Sequence, residues 1–156
     1  MTARISSPVF VGRGEELQRL HAVLDNARAG TVGMVLVGGE AGVGKTRLLA
    51  EFQAGAVSAA ARVLAGGCVD LGDAARPYDP FVAALRPWLR SLPSTEFDRI
   101  VGPARSAVLQ LIPDLEPDGA TDAPAAFESA TQSTLYLQVL GLIERIAADA
   151  VTVIAL

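Results

Sequence analysis

A chain of 156 residues that is 51% hydrophobic and 19% charged is long enough for one ordinary domain, and its composition excludes an intrinsically disordered protein. The net charge of −4 and pI near 4.9 argue against a nucleic-acid surface, and the mean hydropathy of +0.37 gathers in no apolar run long enough to span a membrane. One cysteine, Cys68, excludes an internal disulfide framework and fits a reducing, cytoplasmic compartment, and with His21 the one histidine there are too few ligands for zinc.

Residues 1–8 read as a flexible leader without the apolar centre of an export signal. A short apolar approach, Val9-Phe10-Val11, ends in Gly12-Arg13. From Glu15 the pattern becomes helical, with Leu17, Leu20, Leu24 and Ala27 on one face, acidic residues in the first turn and Gly30 as the stop. His21 falls beside that face, as a partly buried structural histidine.

Met34-Val35-Leu36-Val37 reads as a strand, and a helix with Leu48, Leu49, Phe52 and Ala56 as its inward stripe follows. Between them Gly39-Glu40-Ala41-Gly42-Val43-Gly44-Lys45-Thr46 matches G-x-x-x-x-G-K-[ST], the phosphate-binding P-loop. Each residue type has a physical role there. The three glycines let the backbone wrap so that successive N–H groups face a phosphate, and the helix adds the positive end of its dipole. Lys45 would reach the β- and γ-phosphates, and the Thr46 hydroxyl would join the shell of a Mg²⁺ ion. Lys45 is also the single lysine, so the chain's one compact ammonium stands where such a charge is useful.

Arg62-Val63-Leu64-Ala65 is a second strand, which makes a βαβ unit with residues 34–37 and predicts a parallel sheet. Asp70 follows its carboxyl end and reads as a solvated loop residue. Asp79-Pro80 predicts an N-cap with a first-turn proline, opening a helix that buries Phe81, Leu85, Trp88, Leu89 and Leu92 and is kinked or ended by Pro87. Short helical pieces broken by Gly102, Pro103 and Pro113 come next, then an acidic, solvated turn from Asp114 to about Pro124. A long helix from about Ala125 to Ala148 carries Leu135, Val139, Leu142, Ile143 and Ile146 inward, and residues 151–156 read as a strand buried on both faces.

The order Phe-Val-Gly-Arg-x-Glu-Glu-Leu, helix, strand, GGEAGVGKTRLLAEF, second strand and PYDPFVAALRPWL resembles the ATPase module of STAND-type, AAA-like regulators, in particular large LuxR-type transcriptional regulators. The resemblance covers residues 9–156 and implies an α/β P-loop NTPase fold of the ASCE type, a parallel sheet flanked by helices. It places Val11, Gly12 and Arg13 against the adenine and sugar, with ATP and Mg²⁺ as cofactors. In that family a strand like residues 151–156 is followed at once by the Walker B acids, which hold Mg²⁺ and polarise water, and later by a further strand with sensor residues, a lid and a DNA reader. The resemblance therefore implies an N-terminal part of a larger regulator, incomplete at the C-terminal end of the sheet and without catalytic residues of its own. Its expected partners are nucleotide, the rest of the parent polypeptide, DNA through a domain outside this chain, and no membrane. The expectation is nucleotide binding with little or no turnover. Two other readings stay open, a small P-loop phosphotransferase and a non-functional remnant; the first would need an arginine-bearing lid, and Arg86, Arg90, Arg99 and Arg105 form no obvious cluster.

Overall fold

The computed structural model describes residues 12–67, 78–115 and 132–156. The predicted leader, Val11, Asp70, the acidic turn beyond Leu115 and the predicted start of the last helix lie outside these residues. The chain divides into two compact units, Met1–Ala61 and Arg62–Leu156.

In the first unit, helix α1 (Gly14–Arg28) buries Leu20 and Leu24 of its predicted face and leaves Leu17 and Ala27 half-buried. It ends as expected at Gly30. There φ is 87°, the Thr31 N–H bonds to Asn26 O and the Gly30 N–H to Ala27 O, which together satisfy the last carbonyls. Helix α2 (Lys45–Ser58) packs against α1 through Leu48, Phe52 and Ala56, all buried. His21 meets Phe52 edge to face with ring centroids 5.4 Å apart. A Cβ on Gly55 would stand 2.7 Å from the His21 ring, so this mid-helix glycine makes room for the imidazole, whose role is packing. Helix α2 closes with the same pair of backbone bonds as α1, but with Ala60 at φ 60° instead of a glycine, and Arg28 donates to Ala59 O at 2.8 Å beside it.

The predicted strand at residues 34–37 does not form. The segment carries no ladder hydrogen bond, and Val32, Met34 and Leu36 are 96%, 97% and 94% exposed. An apolar run is a strand only when a neighbour takes its N–H and C=O groups. Among the described residues none pairs with it. The predicted βαβ pairing is corrected accordingly: the sheet of the described residues is the parallel pair β1 (Arg62–Ala65) and β2 (Thr152–Ala155), in register Arg62 with Thr152 and Leu64 with Ile154.

In the second unit five elements cover this pair: α3 (Asp79–Ser91), α4 (Ser94–Val101), a 3-10 turn at Gly102–Ala104, α5 (Arg105–Leu111) and α6 (Gln132–Asp149). Their core is Leu64, Leu85, Leu89, Ile100, Val108, Leu142 and Ile146, with Trp88 and Ile154 packed on it. The expected break at Gly102 and Pro103 is there. Helix α3 differs from expectation at two points. It begins at Asp79 with Tyr78 as the N-cap, which shifts Pro80 to the second helical position, and it runs through Pro87 unbroken. Pro87 and Ala83 are both exposed, so the carbonyl left without its N–H partner lies within reach of solvent. Strand β2 is half-buried rather than covered on both faces, since β1 is its one neighbour among the described residues.

Helix α3 meets the end of β1 at Gly66, where an added Cβ would lie 2.1 Å from Pro80 O and 2.8 Å from the Ala84 nitrogen. Both atoms are backbone and cannot swing away. Gly66→Ala should therefore cost about 3 kcal/mol in denaturant melts, whereas Gly67→Ala, in open space, should cost under about 0.5 kcal/mol. Equal costs would remove the close approach as the reason for this glycine.

A surface tie joins α4 to the end of α6. The Arg99 guanidinium hydrogen-bonds Asp149 and holds its carboxyl below the usual carboxylate range. Because the folded value is the depressed one, the stabilisation is complete above the ordinary carboxylate pKa and disappears as pH falls through Asp149's own lower value. Thermal melts should thus separate the wild type from Asp149→Asn at neutral pH and converge at the acid end. A gap that widens in acid would contradict this linkage.

Candidate functional site

The segment between residue 38 and α2 turns tightly because three glycines adopt conformations that other residues resist. Gly39, Gly42 and Gly44 have φ of 147°, 80° and 92°. One weak turn bond, Val43 N–H to Glu40 O at 3.4 Å, crosses the loop. Gly44 is the N-cap of α2, and the first bond of the helix runs from the Leu48 N–H to Gly44 O at 3.0 Å. The N–H groups of Lys45 and Thr46 therefore leave the helix end without intrahelical acceptors, at the positive pole of its dipole.

Lys45 curls back over the loop. Its Nζ donates to Gly39 O at 2.8 Å and Glu40 O at 2.9 Å, which centres the ammonium within the turn. An ammonium has three donors, so two hold the loop and one points elsewhere. Arg13 reaches the loop from the start of α1: its Nη2 donates to Val43 O at 2.6 Å. Gly12 precedes it at φ 84°, a turn that glycine makes without strain. Thr46 is exposed on the first turn of α2, and Glu40 and Ala41 lie exposed at the loop tip.

The eight predicted loop residues thus form one continuous turn whose Gly39 and Glu40 carbonyls hold the Lys45 ammonium, and of the predicted Val-Gly-Arg box Arg13 bonds to that turn and is preceded by Gly12; Val11 lies outside the described residues. This donor set suits a polyphosphate: a glycine-rich turn, a helix N-terminus and the Lys45 ammonium, with Arg13 bonded to the loop's own Val43 carbonyl. For a divalent metal it offers the Thr46 hydroxyl. Among the described residues no three His, Cys, Asp or Glu side chains converge as a metal site. The Arg13–Val43 bond was not legible from spacing, since 30 residues separate the partners.

Four of the described arginines of the second unit sit in ion pairs. Arg86 and Arg90 pair with Asp114, Arg99 with Asp149 and Glu96, and Arg105 with Asp98. Asp114 is exposed, as expected of the acidic turn, and it also ties α3 to the turn that follows α5. Arg62 lies over the Trp88 ring, 4.6 Å from its centroid, and donates to Ile146 O. A hollow of about 260 Å³ between these helices is lined by Leu89, Arg90, Phe97 and Arg105, and none of its walls belongs to the loop. No described helix is long and apolar enough to cross a membrane.

No curated protein and no solved structure matches the chain. A family does, over residues 9–156, the span that holds the loop, Arg13 and both strands. That family has nucleotide binding as its common property and the P-loop fold as its frame, in keeping with the mixed α/β architecture and the parallel pair described above. By this match the chain belongs to the AAA ATPase domain family.

Proposed function

We propose that the chain is the nucleotide-binding N-terminal part of the ATPase module of a signal-responsive, STAND-type regulator of the LuxR kind, working in the cytoplasm. The observation that carries the nucleotide part is the glycine-rich turn whose Gly39 and Glu40 carbonyls hold the Lys45 ammonium, directly before the N-terminus of α2. On this reading Gly39, Glu40, Ala41, Gly42, Val43 and Gly44 wrap the phosphates of ATP through their backbone, and Lys45 faces the β- and γ-phosphates. Thr46 supplies one oxygen to Mg²⁺, while Val11, Gly12 and the backbone of Arg13 border the adenine and sugar. Bound Mg²⁺ would neutralise phosphate charge; the chain's own part is to bind and orient the nucleotide.

The regulator context rests on the order of features from the Val-Gly-Arg box through PYDPFVAALRPWL. A switch needs a differential affinity of two conformations for the nucleotide and little catalysis. Turnover needs a water-orienting group and a second hold on the metal, which we assign to other parts of the parent polypeptide, as we do any contact with DNA. A lid of free arginines, as a phosphotransferase would need, has no support from Arg86, Arg90, Arg99 and Arg105, all of them ion-paired.

Calorimetric titration of the 156-residue chain with ATP tests the proposal. Saturable binding that strengthens with Mg²⁺, without phosphate release beyond the uncatalysed rate, is the expected result. No heat of binding at millimolar ATP would reject nucleotide recognition, and transfer of phosphate to a small acceptor would reject the switch.

A further inference from the structure

We infer that Arg13 is a positioning residue for the phosphate loop, acting through the carbonyl of Val43 and not through the nucleotide base. The inference rests on the nucleotide-binding reading of the loop.

The geometry runs through one peptide unit. In a trans peptide the carbonyl of one residue and the N–H of the next point in opposite directions, and the described residues have no cis bond. Arg13 Nη2 holds the Val43 carbonyl at 2.6 Å, so the direction of the Gly44 N–H is set as well, opposite to the guanidinium. This peptide plane is otherwise weakly fixed. Val43 lies between Gly42 and Gly44, both with left-handed φ, and glycine is the residue with the widest choice of backbone conformation. Within the loop itself the one backbone bond is the long 3.4 Å contact from the Val43 N–H to Glu40 O. The Arg13 bond is shorter and charge-assisted, which makes it the stronger restraint.

The anchor behind it is firm. Arg13 is the N-cap of α1 and accepts the Leu17 N–H at 3.1 Å through its own carbonyl. Helix α1 is in turn seated on α2 through buried Leu20, Leu24 and Phe52. A rigid helix pair therefore carries both the loop's exit at Lys45 and the arm that grips its middle. The free loop would sample several orientations of the Gly44 N–H; the grip reduces the ordering that phosphate binding must otherwise impose.

The test compares two ligands, ATP and inorganic triphosphate, each with Mg²⁺, in calorimetric titrations of the 156-residue chain. Arg13→Ala should weaken both by the same factor, about tenfold. Arg13→Lys, with its charge and a donor retained, should recover most of the affinity for both. Circular dichroism verifies α1, and should the alanine variant lose it, the lysine variant read against the two ligands carries the same comparison. Loss of ATP affinity with triphosphate affinity unchanged would place Arg13 on the base or sugar and overturn the inference, and so would a variant that binds both ligands like the wild type. A wild-type chain that binds neither ligand would instead overturn the nucleotide reading itself.

Discussion

Lys45→Ala should weaken Mg-ATP binding by about two orders of magnitude, roughly 3 kcal/mol, and leave the melting temperature within a degree or two of the wild type. Both halves follow from where the ammonium lies. Its bonds to Gly39 O and Glu40 O are at the surface, and water replaces them when the side chain is removed, so folding loses little. A phosphate has no such substitute for a fixed cation within the loop. Lys45→Arg should not rescue binding. The guanidinium is planar and wide, and the space between two carbonyls of one tight turn accepts a compact ammonium. Thr46→Ala should act differently, by removing the Mg²⁺-dependent part of the affinity while binding of metal-free ATP persists. Titrations with and without Mg²⁺ separate the two variants, and a Lys45→Ala chain that binds like the wild type would end the assignment of this loop.

Local patterns were legible wherever local physics decides. The leucine spacing of α1 and its stop at Gly30, the stripe of α2, β1 at Arg62–Ala65 and the break at Gly102–Pro103 all stand where the sequence places them. The P-loop was legible because its residue types have no cheaper explanation. What escaped was whatever depends on partners distant in sequence. Ala60 adopts a left-handed φ at a helix end with no glycine to announce it, because the bonds from Ala60 and Ala61 back to Val57 and Ala56 outweigh the strain. Asp114 is the solvated acid its turn predicts, but its pairing with Arg86 and Arg90 of α3 was not legible. The residues at 34–37 and those at 152–155 have the same apolar character, yet one run is a strand and the other is not. Hydrophobicity states a need for burial, and pairing depends on which neighbour is present.

Met34→Lys with Leu36→Lys, made together in the 156-residue chain, should leave the melting temperature almost unchanged and sharply reduce aggregation on warming. Residues 97% and 94% exposed lose no burial when they become charged, and such surface changes cost within about 0.5 kcal/mol each. The benefit comes from the N–H and C=O groups beside them, which no described residue pairs: an apolar, uncharged segment with open backbone groups is a template for another chain, and lysine is the residue that blocks it. Hydrogen exchange should show the same contrast, with the amides of residues 34–37 exchanging freely while those of β1 and β2 are protected. In a polypeptide that offers this segment a neighbouring strand, the double substitution should have the opposite effect. Two lysines would then enter a covered strand, at a cost of several kcal/mol, and nucleotide binding would fail with the loop's support. Light scattering and melting curves on the two proteins decide the matter. If the short chain is destabilised by the lysines and protects residues 34–37 from exchange, the segment is already paired in solution and needs no neighbour from elsewhere.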